Sequence, residues 1–280
     1  MRLPLSRLQS TLLLAALAAA GALLHPGVVR AEPVAVRYVE GMVHGFLVLR
    51  SLEGKMLAQG DLTQVAHGDR VTSRLVFHFR DGSLQDETVV YSQRRNFRLL
   101  SDHLVQKGPT FPQPMDVTVD GASGQVTVRY TEDGKPKVAA EHFDLPPDVA
   151  NGLILTLLKN VPRKMQQLTL SMVAAAPKPR LVKLVITPAG SEPLTIGGAR
   201  RRATHYVVKV QLGGVAGVLA PLVGKQPPDS HVWILGGEVP AFVRAELPLY
   251  PGGPSCRIEL TSPVWPKAAR RAAPAGSPGH

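Results

Sequence analysis

Asp144-Leu145-Pro146-Pro147-Asp148-Val149-Ala150-Asn151-Gly152-Leu153-Ile154-Leu155-Thr156-Leu157-Leu158-Lys159-Asn160 is the stretch whose reading decides the fold. Prolines at the opening positions, Asp148 in the first turn, Lys159 in the last turn and Pro162 beyond Asn160 are the start and stop signals of a helix, which the pattern predicts over 145–159. At 100° per residue Val149, Ala150, Leu153, Ile154, Leu157 and Leu158 share one half of the cylinder, and Asp148, Asn151, Gly152, Thr156 and Lys159 share the other. One face therefore requires burial. Leu155 falls on the otherwise polar arc.

Both flanks read as strands. From Val34 onward, apolar runs are separated by Glu53-Gly54, His67-Gly68-Asp69, Asp81-Gly82, Asp120-Gly121 and Asp133-Gly134, pairs that reach the positive φ of hairpin turns with little strain. Leu75, Phe77 and Phe79 alternate with Val76, His78 and Arg80, and Val117, Val119, Val126 and Val128 repeat the pattern. After the helix, strands are expected at 166–173, 181–187, 194–198, 204–212, 231–235, 241–249 and 257–260. The fold class expected is mainly β: a strongly curved antiparallel sheet, an open half-barrel, wrapped around one central α-helix. No long polar linker divides the halves, so one domain over 32–265 is expected.

The first 31 residues read as an export signal, with Arg2 and Arg7 at the charged end, an apolar run from Thr11 to Leu24 and small residues near Ala31. That run is shorter than the ~20 residues a bilayer needs, and no later segment of the mature chain is apolar for long enough to span a membrane. A periplasmic or secreted product of the bacterial envelope is expected, beginning at Glu32. Residues 266–280, rich in Ala, Pro and Gly, read as a disordered basic tail. Cys256 is the single cysteine, which excludes an internal disulfide.

The formal charge is +11; removing Arg2, Arg7 and Arg30 leaves 11 − 3 = +8, and removing Lys267, Arg270 and Arg271 leaves 8 − 3 = +5 on the folded part. A moderate excess favours anionic partners such as lipid headgroups, lipopolysaccharide or an acidic envelope polymer, without selecting one. No nucleic-acid partner is expected. Arg94, Arg95 and Arg98 flank Asn96-Phe97, a pattern that suits a phosphate and equally suits a solvated strand face. His44, His78, His103 and His142 are scattered singly, with no spacing that puts two ligands on one metal. Asp86-Glu87 and Glu141 are formal candidates for a carboxylate pair, but nothing selects them.

Gly213 to Lys225 lacks strand alternation, and Val215, Val218, Leu219 and Leu222 share a helical face. Gly224-Lys225 is not a phosphate loop, because Leu219 stands where Gly is needed and Gln226 where Ser or Thr is needed. An apolar loop covering the sheet, or a lid at the mouth of an apolar cavity, fits this composition. Upstream lie Arg200-Arg201-Arg202 at an expected turn, then Thr204-His205-Tyr206; downstream lies Asp229-Ser230-His231-Val232-Trp233. If these converge on one rim, a basic edge around an apolar hollow suits an amphiphile with an anionic head. Neither a Gly-x-Ser-x-Gly elbow nor a dinucleotide fingerprint nor Cys-x-x-Cys occurs, so no catalytic residue, metal or cofactor is assigned.

The succession of a strand meander, the Asp144–Asn160 helix, further strands, His231-Val232-Trp233-Ile234-Leu235 and then Val239-Pro240-Ala241-Phe242-Val243-Arg244 resembles uncharacterised bacterial envelope proteins with a β half-barrel, similar in architecture to the LolA-like lipoprotein carriers. The resemblance lies in layout over 34–262 and implies acyl chains held between sheet and helix. The resulting expectation is an exported, non-enzymatic protein that holds a lipid or another hydrophobic ligand. Leu155, Leu158, Val215, Val218, Leu219, Leu222 and Trp233 are its candidate ligand contacts, and Arg200, Arg201 and Arg202 its candidate anion contacts. The alternatives are an envelope scaffold or surface interaction protein without ligand, and a hydrolase with a non-contiguous site around His205 or His231.

Overall fold

The computed structural model describes residues 33–162, 164–175, 178–196, 198–211 and 227–261. Residues 1–32 and 262–280, which hold the expected leader and tail, lie outside the described residues.

Alternating apolar residues and glycine turns make fourteen strands: β1 (Val43–Ser51), β2 (Met56–His67), β3 (Arg70–Phe79), β4 (Leu84–Gln93), β5 (Phe97–Lys107), β6 (Met115–Asp120), β7 (Gln125–Glu132), β8 (Lys135–His142), β9 (Leu168–Ala174), β10 (Arg180–Ile196), β11 (Ala199–Gln211), β12 (Ser230–Leu235), β13 (Ala241–Pro248) and β14 (Ser255–Leu260). All belong to one antiparallel sheet in the order β8-β7-β6-β5-β4-β3-β2-β1-β14-β13-β12-β11-β10-β9. Two meanders thus meet where β1 pairs β14, from Leu47↔Leu260 to Ser51↔Cys256. The sheet is not closed: β8 and β9 are its two edges.

The chain crosses from one edge to the other through residues 143–167, which carry α1 (Ile154–Asn160), the single helix among the described residues. The helix is shorter than the 145–159 expected from periodicity. Gly152 at φ +61° cannot continue a right-handed helix. Ahead of it, Asp148 to Asn151 bond along the free side of β9: the Ala150 amide donates to Ser171 O (2.8 Å), and the Asn151 amide side chain both accepts from Val173 N (2.8 Å) and donates to Val173 O (3.0 Å). This strap satisfies backbone groups that an edge strand would otherwise leave open. The apolar positions themselves are as expected: Val149, Ala150, Leu153, Leu157 and Leu158 are buried.

Two strands expected at 181–187 and 194–198 are one, β10, bent by an irregularity between Pro188 and Gly190. The expected turn at Arg200–Arg202 is also corrected, because these residues pair with Thr195, Leu194 and Pro193 inside β11. The turn lies earlier, where Gly198 adopts φ +79°.

The strap and α1 share one contiguous apolar core with both arms of the sheet, including Val89, Leu99, Val119 and Val126 from one arm and Leu170, Leu184, Ile186, Val208 and Val232 from the other. A second cluster holds Leu47, Leu49, Phe77, Phe79, Phe111 and Ile258, and Phe242 and Leu247 pack against both clusters. A small third cluster, Ala203, Trp233 and Val243, stands apart.

Candidate functional site

Strand alternation places Leu62, Leu75, Glu87 and Leu104 on the core face, in one transverse row (Leu62↔Leu75, Leu75↔Glu87, Glu87↔Leu104). Each of the four keeps part of its surface accessible. The rows on either side are more closed: Phe77, Gln85 and Gln106 are buried on one, and on the other Gln64, Val89 and Asp102 are buried while Ser73 stays partly accessible. Protein nonetheless surrounds Glu87 closely enough that desolvation raises its carboxyl to about 7. Asp102 is raised well above the ordinary carboxylate range by burial first and by the charge of Glu87 second, with an opposing contribution from Asn151. Asp102 Oδ1 has no hydrogen-bond partner among the described residues.

The surroundings of this row are held by polar side chains. Glu40 pairs with Lys159 of α1 and accepts from Gln64 Nε2 (3.1 Å), while the Tyr91 hydroxyl donates to Gln64 Oε1 (3.1 Å). Asn160 closes α1 by donating to Thr156 O (3.0 Å) and accepting from the amides of Arg37 (2.9 Å) and Tyr38 (2.8 Å). At the strap, the Ser171 hydroxyl lies 3.0 and 3.1 Å from the Asp148 carboxylate oxygens and accepts from Lys183 Nζ (2.8 Å). Ser171 is fully buried, so this Ser–Lys contact fixes the strap and offers no accessible nucleophile.

The outer face carries the histidines singled out as hydrolase candidates. Glu192 Oε1 lies 2.9 Å from His205 Nδ1, His205 Nε2 lies 2.9 Å from His231 Nδ1, and Trp233 Nε1 donates to Glu192 Oε2 (2.9 Å). The His205 ring stacks on Trp233 with centroids 4.5 Å apart, and Arg244 sits 5.6 Å from the Trp233 ring centroid while bonding Glu259. The groups form a chain, nitrogen to nitrogen, and do not point at a common centre. Among the described residues no set of three or more His, Cys, Asp or Glu could hold a metal.

A separate cleft of about 450 Å³ opens at the β4–β5 turn, lined by Pro33, Ser92, Arg94, Arg95, Asn96, Phe97, Arg98 and Pro147. Beside it, a void of about 10 Å³ lies between Leu99, Gly121, the strap residue Val149 and the preceding Leu145 and Pro146.

Of the sequence-derived ligand contacts, Leu158 is buried in the main core and Leu155 packs partly exposed against it. Trp233 belongs to the small third cluster and stacks on His205, so it is not brought together with the two leucines. Val215, Val218, Leu219 and Leu222 lie outside the described residues. Arg200, Arg201 and Arg202 are exposed, and Arg202 bonds Ser191. Sequence reasoning missed the row of Leu62, Leu75, Glu87 and Leu104. Asp86-Glu87 was visible as a carboxylate pair, but alternation sends Asp86 outward to Arg74 and Glu87 to the core face.

No protein-family model matches the chain, and no curated protein matches it. Among solved structures, the chain is similar to a crystal structure described as a beta-barrel-like protein of domain of unknown function DUF1849 from Brucella abortus. The TM-score is 0.43 and the identity 10%, over 81% of this chain and 98% of that one.

Proposed function

We propose that the protein is an exported, non-enzymatic binding protein whose sheet bends into an open trough around the strap and α1, and that the trough holds a lipid or another hydrophobic molecule. The observation that carries this reading is the row Leu62, Leu75, Glu87 and Leu104: it keeps accessible surface in mid-strand, on the core face, between one buried row and a second in which only Ser73 is accessible. Accessibility at the ends of strands has many causes; accessibility bounded on both sides by buried neighbours needs unfilled space. The shared core of both arms supports the bend, since a flat sheet of this width would keep β7 and β9 far apart.

An apolar guest needs few polar contacts. Each buried methylene contributes about 0.8 kcal/mol, so a chain of roughly ten is retained by contact with leucines alone. Glu87 supplies a hydrogen-bonding group at the wall. The leader-like residues 1–31 support export.

The test is organic extraction of the purified protein followed by lipid mass spectrometry, together with titration by a fluorescent fatty acid. Co-purified lipid and saturable fluorescence are expected, and Leu75→Trp, which fills the row, should abolish the fluorescence while leaving the denaturation midpoint in place. Lipid-free protein that gives no fluorescence response would overturn the proposal.

A further inference from the structure

From the cleft at the β4–β5 turn we infer that the protein carries a binding site for a phosphate-type dianion, the phosphomonoester of a soluble molecule or of a lipid headgroup, formed by Arg94, Arg95 and Arg98. This site is independent of the trough. All three residues line the same cleft of about 450 Å³, a volume within the range of small-molecule sites. The three are exposed, and no carboxylate among the described residues forms an ion pair with any of them. That sets them apart from Arg74, Arg244 and Arg257, each of which is bonded to a neighbouring Asp or Glu.

The frame that carries the guanidiniums is fixed. The turn is bonded to the segment before β1 by Val36 N to Arg95 O (2.9 Å) and Phe97 N to Val34 O (2.9 Å), and to the β2–β3 turn by Gln93 N to Asp69 O (2.7 Å). Pro33 and Pro147 stand as walls with restricted backbones, and the buried Phe97 anchors the turn from below. A planar fork of donors on a fixed backbone suits the oxygens of a phosphate, which accept two parallel bonds from one arginine and leave oxygens for the others. The apolar walls leave room for the carbon body that such a phosphate carries.

Two sources present this chemistry, and the experiment separates them. The full chain is titrated calorimetrically with glycerol phosphate, and in parallel mixed with phosphatidylcholine vesicles with and without phosphatidic acid. Saturable binding to at least one phosphomonoester probe is expected, weakened by about tenfold or more in the double variant Arg94→Gln/Arg98→Gln, as the loss of charge-assisted bonds requires. The double variant Lys55→Gln/Arg80→Gln removes as much charge from exposed positions at the opposite end of the strands and is expected to leave that binding unchanged. Binding of glycerol phosphate identifies a soluble ester as sufficient; binding confined to vesicles with phosphatidic acid identifies the headgroup. An equal loss in both variants would reduce the effect to net charge and overturn the site, as would absence of binding to every probe.

Discussion

Glu87 is the residue at which chemistry and stability meet. In the unfolded chain its carboxyl ionises near 4.5, whereas burial in the folded protein raises it to about 7. Between those values the native state holds the extra proton, so the contribution is fully present below the lower one, falls as pH rises through the window and levels off above the upper one. Asp102, raised in the same direction by burial and by the charge of Glu87, adds to the loss. Asp86 works in the opposite sense: the Arg74 guanidinium lowers its carboxyl, and that contribution is lost only as pH falls below 3.8. The denaturation midpoint is therefore expected to fall as pH rises from about 4.5 to about 7, and Glu87→Gln should flatten that slope. Chemical denaturation of both proteins across this range is the measurement, and an unchanged slope in the variant would place the titration elsewhere.

At the scale of elements, the strap turns an apolar stripe into an edge cover. The sequence disclosed which residues of 144–160 are buried, because spacing alone settles the apolar face, but not that Asp148 to Asn151 leave the helix to bond β9. That outcome depends on Ser171 and Val173, which lie some twenty residues further along the chain and cannot be paired with Asn151 from spacing. The same holds for Trp233: its strand was legible, but its outward placement beside His205 follows from the register of β11 against β12. Hairpins were legible from their Asp-Gly turns, whereas the bulge that joins two expected strands into β10 has no local signature. Asn151→Ala removes both bonds to Val173 and is expected to cost about 1–3 kcal/mol. It should also speed exchange of the Val173 amide ahead of global unfolding. Denaturation together with hydrogen exchange checks this, and a Val173 amide as protected as before would show that the strap holds without Asn151.

Across the whole molecule, an unclosed sheet has two edges and protects them differently. The strap covers β9; β8 is left with Lys135, Pro136 and Lys137 at its start and is exposed along most of its length. A proline and two like charges oppose the approach of a second strand, which matters because Val138, 65% exposed, would otherwise invite one. Replacing Lys135 and Lys137 by Val and Pro136 by Thr is expected to give concentration-dependent self-association without loss of the monomer fold. Light scattering after size exclusion reads the result; a variant that stays monomeric at high concentration would show that the edge is guarded by other means.

The seam between β1 and β14 sets the first and last strands side by side in the middle of the sheet, with the Thr261 amide donating to Phe46 O (2.8 Å). A short peptide bridging those two points, with a new opening at the exposed Lys164, would string every strand in the order in which it lies, so that each hairpin formed would find its next neighbour already adjacent along the polymer. In such a rearranged gene product the β1–β14 pairing becomes local while the strap's bonds to β9 come to span the whole polymer, so the sheet is expected to assemble ahead of the strap.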